Sequence, residues 1–158
     1  MSDFDHLPYR PCAGVMLVNE EGRVFVGQRM DNSADAWQMP QGGIDKGEDA
    51  ETAALRELRE ETGVKPELVT IIAHSRDEHF YDLPDDLKGR MWGGKYRGQR
   101  QIWFLMQFHG TDADINIETK HQEFSNWRWS DIDDLDKMIV PFKRDLYRAI
   151  VKEFSALI

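Results

Sequence analysis

The sequence has a single cysteine, Cys12, no long run of apolar residues and no excess of basic residues. One cysteine excludes an internal disulfide and is typical of a protein kept in a reducing compartment. No segment approaches the roughly 18 apolar residues of a membrane-spanning helix. The opening residues MSDFDHLPYRP lack the basic and apolar regions of a secretory signal. We therefore expect a cytoplasmic protein that has no contact with a membrane.

The charge balance also excludes a class of partners. The formal net charge is −9, with 31% charged residues, which opposes sequence-blind binding to DNA or to any other nucleic-acid backbone. Recognition of one end of a nucleic acid through a local basic patch stays open. A chain of 158 residues that is 41% hydrophobic is long enough for a full core, so we expect one compact domain over residues 1–158.

Hydrophobic patterns predict strands and two helices in an α/β or α+β arrangement. Acidic residues at 48–51 mark the start of the first helix, and Gly63 marks its end. A second helix should follow Pro141, with Leu146, Ile150 and Phe154 on its apolar face. Residues 30–47 and 75–100 are predicted to be mostly loop. The predicted strands are 13–18, 23–29, 68–74, 101–109 and 126–129.

The first helix contains the segment RELREETGV at residues 56–64, which places Glu57, Glu60 and Glu61 along one edge. Like charges at this spacing disfavour an isolated helix by about 0.2–0.5 kcal/mol per pair. Solvent, a neighbouring arginine or a divalent cation could offset that repulsion. Clustered carboxylate oxygens suit Mg²⁺, which commonly bridges protein carboxylates and substrate phosphates. For three glutamates alone, a solvated helix face remains the simpler interpretation.

The wider spacing favours the cation. Gly42, five residues, Glu48, seven residues and then Arg56 to Val64 reproduce the fixed positions of the Nudix box, so the sequence resembles the Nudix hydrolases. The resemblance implies an α/β fold, the Nudix α/β/α sandwich with a mixed sheet, in which the box forms a loop–helix–loop that binds Mg²⁺. Other divalent cations, such as Mn²⁺ or Zn²⁺, are expected to substitute.

The same resemblance implies a role for each residue of the box. Glu57, Glu60 and Glu61 would bind the metal together with the Gly42 carbonyl, and Arg56 would orient a carboxylate. Glu48 would support the box. In phosphoanhydride hydrolysis such a metal neutralises charge on phosphate oxygens and lowers the pKa of the attacking water. Spacing leaves open which carboxylate accepts the proton of the water.

Further stretches resemble the branch that contains RNA pyrophosphohydrolases and dinucleoside polyphosphate hydrolases. These stretches are YRP (9–11), WQMPQGGI (37–44), YRGQRQIWF (96–104), EFSNWRW (123–129) and PFKRDLYR (141–148). The branch removes pyrophosphate from the 5′ end of triphosphorylated RNA, or cleaves diadenosine tetraphosphate to ATP and AMP.

By this resemblance, two arginines, Arg10 and Arg29, would contact the phosphates or the terminal nucleotides. Glu123 would be a further metal-site carboxylate, and Phe142 and Lys143 would contact a base and its phosphate. Arginine binds phosphate with two parallel hydrogen bonds, and an exposed aromatic ring can stack on a base. Surface ion pairs for the arginines and helix-start packing for Phe142 are the alternatives.

The loop WGGKYRGQ (92–99) adds basic charge suited to a polyphosphate chain, through Lys95, Arg97 and, just beyond it, Arg100. Tyr96 is expected to contact substrate. Tyr81, Trp92 and Tyr96 could sandwich a nucleobase or merely cover the edge of the core. Ile102 stands where the branch frequently has a basic residue.

Several functional interpretations therefore remain. The first is an RNA 5′ pyrophosphohydrolase that also hydrolyses dinucleoside polyphosphates, and the second is a dedicated dinucleoside polyphosphate hydrolase. A non-catalytic nucleotide sensor is disfavoured by the intact glutamate set, and a structural scaffold is disfavoured by the box. The sequence leaves open a regulatory protein partner that binds the acidic surface.

Overall fold

The computed structural model describes residues 6–30 and 36–158. Asp31, Asn32 and Ser33, part of the predicted loop 30–47, lie outside the described residues. Within these ranges the strands are β1 (Tyr9–Val18), β2 (Val24–Arg29), β3 (Trp37–Gln38), β4 (Gln41–Gly43), β5 (Val69–His74), β6 (His79–Asp82), β7 (Gly98–Phe108) and β8 (Phe124–Ser130). The α-helices are α1 (Ala50–Thr62), α2 (Leu135–Met138) and α3 (Arg144–Phe154).

The strands form one mixed sheet. Its main path runs β3-β2-β1-β7-β5, while β4 pairs with β1, β6 with β7 and β8 with β2. The central pair, β1 and β7, is parallel, and it is in register from Tyr9 opposite Gly98 to Val18 opposite Gln107. The predicted hairpin of the first two strands is confirmed, since β1 and β2 are antiparallel.

Helices cover both faces of the sheet. On one face α1 buries Ala53, Ala54 and Leu58 against side chains of β1, β2 and β7. On the other face α3 buries its predicted apolar face, Leu146, Ile150 and Phe154, together with Leu135 of α2. The α/β/α sandwich with a mixed sheet is therefore confirmed. Burial of these two faces removes apolar area from water, which is the main term that stabilises such a layered fold.

The ends of α1 follow from local chemistry. The Asp49 side chain accepts a hydrogen bond from the Thr52 N–H at 2.7 Å, which satisfies a helix donor that would otherwise have no partner. At the other end, Gly63 has φ +74°, and its N–H donates to the Arg59 carbonyl at 2.9 Å. Only glycine adopts this left-handed conformation without cost, so the helix stops there and the glutamate edge keeps a fixed length.

The prediction of loop across 75–100 was wrong at two places. β6 lies inside that range, and β7 begins at Gly98 rather than at 101. For the start of β7 the reason is that polar residues are buried there: Gln101 Nε2 donates to Gln99 Oε1 at 2.6 Å, and Trp103 Nε1 donates to Gln101 Oε1 at 2.7 Å. A hydrophobic pattern does not detect a strand whose buried face is a ladder of hydrogen-bonded amides.

Smaller differences concern short elements and boundaries. β1 begins at Tyr9, four residues before the predicted start, and β8 is longer than predicted at both ends. The short strands β3 and β4 lie in the predicted loop 30–47, and α2 was not predicted. No helix in the described part of the chain has the length and apolar character needed to cross a bilayer.

Candidate active site

Arg56 ties the loop before α1 to the helix itself. Its guanidinium donates to both carboxylate oxygens of Glu48 at 2.8 Å and to the Gly43 carbonyl at 2.9 Å. The hydrogen bonds from Arg56 lower the pKa of Glu48 to about 2. Glu48 also accepts from the Asp45 N–H at 3.0 Å, so it holds the turn that leads into the helix. The supporting role that the resemblance implies for Glu48 stays a prediction, and these contacts are consistent with it.

Glu57 lies between this arginine and the glycine loop. Arg56 Nη1 donates to Glu57 Oε1 at 2.8 Å. A Cβ atom added to Gly42 would overlap the Glu57 carboxylate, so glycine is required for this close approach. Burial raises the pKa of Glu57, with Arg56 acting in the opposite direction. The Glu57 carboxylate is thus held against the backbone of the loop.

Glu61 is the most buried carboxylate of the helix, with 5% of its surface exposed. Its Oε2 accepts a hydrogen bond from the Gln41 N–H at 3.1 Å. Burial raises the pKa of Glu61 well above its usual value, and the nearby negative charges of Glu57 and Glu123 raise it further. A buried carboxylate in this setting is favoured in its charged form only when a positive charge lies beside it.

Glu60 differs from these two. Its side chain is 47% exposed and contacts Arg56 Nη1 at 3.3 Å. The structure therefore places Glu60 on the outer side of the helix edge, whereas Glu57 and Glu61 face inward. Its predicted role as a metal ligand stays a prediction.

The inward-facing carboxylates line a cavity of about 250 Å³. Ten of the residues that the sequence singled out form part of its lining: Arg10, Arg29, Gly42, Glu57, Glu61, Tyr81, Trp92, Glu123, Phe142 and Lys143. Glu123 comes from the segment just before β8 and is exposed. We call Glu57, Glu61 and Glu123 the carboxylate wall.

Aromatic and cationic side chains form a second part of the lining, which we call the aromatic wall: Arg10, Tyr81, Trp92, Phe142 and Lys143. The Arg10 guanidinium lies 5.6 Å from the centre of the Trp92 ring. Lys143 Nζ lies 5.1 Å from the centre of the Tyr81 ring and 5.9 Å from that of Phe142. Cations at such distances from ring faces are stabilised by the ring quadrupole. Phe142 is 37% exposed, which leaves ring surface for a ligand.

The basic residues of the loop 92–100 lie elsewhere. Arg97 pairs with Asp82 at 2.7 Å, and Arg100 pairs with Glu78 at 2.9 Å. Neither arginine lines the cavity, and neither does Lys95, which is exposed. Acidic neighbours on β6 and just before it pair with the two arginines, and the interpretation of this loop as added positive charge for a polyphosphate stays a prediction.

Tyr96 also lies outside the cavity lining. Its ring packs edge-on against Trp92, with centroids 6.2 Å apart, so it supports a wall residue. Sequence reasoning missed Gln41 and Gln99 as lining residues. Gln99 could have been found from the alternation of side chains along β7, had the strand been predicted to start there.

The carboxylates that line the cavity are chemically suited to bind a divalent cation. A buried carboxylate with a raised pKa, beside two others, is stabilised by a cation between them. In residues 6–30 and 36–158, however, no three Asp, Glu, His or Cys side chains are already arranged to hold an ion. One reason is that Arg56 Nη1 donates hydrogen bonds to both Glu57 and Glu60, which holds these two carboxylates toward the arginine.

Comparisons with known proteins identify relatives of this chain. A NUDIX domain model matches residues 8–150. The chain is 68% identical over 158 residues to a protein named RNA pyrophosphohydrolase from Sphingopyxis alaskensis, with all of both chains covered. It is 63% identical over 150 residues to a protein of the same name from Roseobacter denitrificans, covering 95% of this chain and 94% of that protein.

Solved structures show the same fold at low identity. A C. elegans Ap4A hydrolase in a binary complex has a TM-score of 0.65 and 22% identity, covering 92% of this chain and 98% of that one. The E. coli dihydroneopterin triphosphate pyrophosphohydrolase has a TM-score of 0.68 and 21% identity, covering 92% and 99%.

Proposed function

The chain belongs to the Nudix family of hydrolases, and on that premise we propose that it removes pyrophosphate from the 5′ end of triphosphorylated RNA. The products are inorganic pyrophosphate and RNA with a 5′ monophosphate. The names of the relatives at 68% and 63% identity support this substrate. Hydrolysis of dinucleoside polyphosphates is proposed as a second activity of the same site.

The observation that carries this proposal is the composition of the cavity lining. Carboxylates that suit a divalent cation and cations that suit phosphate oxygens line one cavity of about 250 Å³. A polyphosphate needs both, because its own charge must be balanced while one of its anhydride bonds is attacked. With a net charge of −9, the rest of the protein repels an RNA backbone, so binding is confined to the 5′ end.

We assign Mg²⁺ to the carboxylate wall, with Glu57, Glu61, Glu123 and the Gly42 carbonyl as its ligands and Glu60 joining from the rim. A divalent cation bound there balances phosphate charge and makes the attacking water more acidic. Arg56 keeps Glu57 in place from the side away from the substrate, which is consistent with its 2.8 Å contact. Mn²⁺ or Zn²⁺ can take the same oxygen ligands.

The aromatic wall is assigned to binding. Arg10 and Lys143, with Arg29 beside them, hold the non-bridging phosphate oxygens through charge-assisted hydrogen bonds. Phe142 stacks on the first base, since its ring is partly exposed at the cavity. In the reaction, the oxygen of a water molecule bonds to a phosphorus of the α–β anhydride and the bridging P–O bond breaks. A wall carboxylate accepts the proton of the water.

A dedicated dinucleoside polyphosphate hydrolase is the second candidate. Trp92, supported edge-on by Tyr96, gives the cavity a further aromatic surface besides Tyr81 and Phe142. Two aromatic surfaces suit a substrate with a nucleoside at each end.

We propose the cytoplasm as the place of action, because the substrate is found there and the one cysteine, Cys12, is a buried free thiol.

The two candidates are separated by a competition of substrates. A short 5′-triphosphate RNA and diadenosine tetraphosphate are supplied with Mg²⁺ at matched concentrations, and kcat/KM is determined for each from the separated products. The variant Glu57→Gln serves as the inactive control. Faster release of pyrophosphate from RNA supports the proposal, whereas much faster formation of ATP and AMP from the dinucleotide contradicts it and supports the second candidate.

A further inference from the structure

Gln41 carries a buried oxygen that has no hydrogen-bond partner. In the described ranges of the chain, Gln41 Oε1 is the single buried side-chain nitrogen or oxygen in this condition. Folded proteins leave few buried polar atoms without a partner, and such an atom at a candidate site indicates a missing water, ion or ligand group. Gln41 is one of the residues that line the cavity, so a group bound in the cavity can supply the missing partner once the side chain turns toward it.

The position of Gln41 identifies the part of the cavity involved. Its own N–H donates to Glu61 Oε2 at 3.1 Å, and the next residue, Gly42, lies against the Glu57 carboxylate. Gln41 is thus part of the carboxylate side, where β4 runs antiparallel to β1. It adds a neutral acceptor to a set of negatively charged ones.

The chemistry of the occupant follows from what a phosphoanhydride hydrolase must hold. A carbonyl oxygen accepts hydrogen bonds, so the occupant must donate one or be a cation. Ionised phosphate groups offer acceptors only and do not meet this need. Water does, and hydrolysis requires one water molecule beside the carboxylates.

We infer that Gln41 Oε1 accepts a hydrogen bond from the water that attacks the phosphoanhydride. A wall carboxylate accepts the other hydrogen of the same water, so both O–H bonds are fixed and a lone pair points at the phosphorus. The water oxygen then bonds to phosphorus, the bond from phosphorus to the bridging oxygen breaks with its electron pair, and the carboxylate takes the proton. The inference rests on the proposed function, because it needs a hydrolytic reaction.

The test replaces the acceptor while keeping its volume. Gln41→Met has a similar length and no amide oxygen. We expect kcat to fall about 10- to 100-fold, because a water held by one acceptor is misaligned. KM should stay within about twofold, as should the dissociation constant for Mn²⁺ measured by electron paramagnetic resonance on the protein without substrate. The melting temperature should equal or exceed that of the unmodified protein, since a buried unpaired oxygen is removed.

Two further variants make the test selective. Gln41→Glu keeps an acceptor oxygen at the same reach and should retain a higher kcat than Gln41→Met when Mn²⁺ is saturating. Gln107→Met is the matched control, because Gln107 is also a half-buried glutamine of the sheet, whose Nε2 donates to the Val18 carbonyl at 3.0 Å. It lies in β7 eight residues from Gln99, roughly 26 Å along the strand, and its kcat should be unchanged.

Each other outcome overturns the inference in a distinct way. An unchanged kcat in Gln41→Met, with an active unmodified protein, removes the role of Gln41 and leaves the proposed function intact. A higher KM at unchanged kcat makes Gln41 a contact for a substrate hydroxyl, and weaker Mn²⁺ binding makes it a ligand of the cation. An unmodified protein that does not hydrolyse either substrate ends the proposed function and the inference together.

Discussion

The two walls of the cavity are built from different amounts of chain. Two members of the carboxylate wall, Glu57 and Glu61, lie one helical turn apart in α1, and the loop against them ends only seven residues before that helix begins. The aromatic wall takes its members from β1, β6, the turn before β7 and the short turn just before α3, from residue 10 to residue 143. Apart from Glu123, the carboxylate wall is therefore local, whereas the aromatic wall depends on the whole sheet.

This difference suggests a division of labour. A helix edge held by Arg56 and by a close glycine keeps carboxylates within narrow limits, as a bond-breaking step requires. Side chains collected from distant elements provide area, charge and stacking surfaces for a substrate. We expect variants of the carboxylate wall to lower kcat and variants of the aromatic wall to raise KM.

The largest effect is expected at the rim of the carboxylate wall. Glu60→Gln should lower kcat about 10²- to 10³-fold while the melting temperature stays the same, because loss of a metal carboxylate costs several kcal/mol in the transition state. Steady-state kinetics with triphosphorylated RNA and a thermal melt measure both. Glu51→Gln, an exposed glutamate of the same helix, is the control. A rate within threefold of normal would assign Glu60 to a surface ion pair with Arg56.

Two adjacent glycines offer a direct contrast between the walls. A Cβ at Gly42 would overlap the Glu57 carboxylate, whereas a Cβ at Gly43 would meet Arg10 Nη2 at 2.6 Å. Glu57 is pinned by Arg56, but the end of Arg10 can move aside. We expect Gly42→Ala to lower kcat about 100-fold and Gly43→Ala to raise KM about threefold.

The measurement is a full rate curve for each glycine variant against substrate concentration. Neither glycine has a positive φ among those recorded for the chain, so backbone strain does not confuse the comparison. Equal effects of the two substitutions on kcat would remove the proposed division between the walls.

A third prediction concerns the aromatic wall alone. Arg10→Ala should raise KM for triphosphorylated RNA about 10- to 30-fold with a small change in kcat, because a charge-assisted contact to phosphate is worth about 1.5–3 kcal/mol. Arg23→Ala, which removes an exposed arginine 3.6 Å from Asp131, controls for the loss of one positive charge. A fall in kcat at unchanged KM would instead assign Arg10 to the transition state.

The same contrast explains how far the sequence could predict the molecule. The helix, its ends and its glutamate edge follow from local spacing, whereas the pairing of Arg56 with Glu48 was not predicted. The aromatic wall was reached only through resemblance, since no local pattern brings Arg10 and Lys143 together. The polar start of β7 and the inward Gln41 were missed because their burial depends on hydrogen bonds between elements.

The direction of individual side chains was also beyond local reasoning. Spacing puts Glu57, Glu60 and Glu61 on one edge of the helix. The structure shows that the Glu61 side chain is buried whereas the Glu60 side chain is exposed. Arg97 and Arg100 were predicted to add positive charge for a polyphosphate. In the structure they form ion pairs with acidic residues of β6 and of the segment just before it. Charge in a sequence does not indicate which charges neutralise one another.

The smallest predicted effect concerns the support behind the carboxylate wall. Hydrogen bonds from Arg56 hold the pKa of Glu48 at about 2 in the folded chain, against an ordinary value of 4.5. A lowered pKa in the folded state stabilises the protein above the unfolded value and loses that contribution as the pH falls through the folded value. The contribution of Glu48 is therefore present at pH 7 and fades between about pH 4.5 and pH 2.

Glu48→Gln removes this contribution, so its melting temperature should lie below that of the unmodified protein at pH 7, and the gap should narrow as the pH approaches 2. Thermal melts at pH 7, 5, 4 and 3 measure it, with Glu67→Gln, an exposed carboxylate, accounting for the change in net charge. A gap that stays constant down to pH 3 would mean that Glu48 supports the loop by packing rather than by charge. Arg56 would then keep Glu57 in place without an ionic contribution from Glu48.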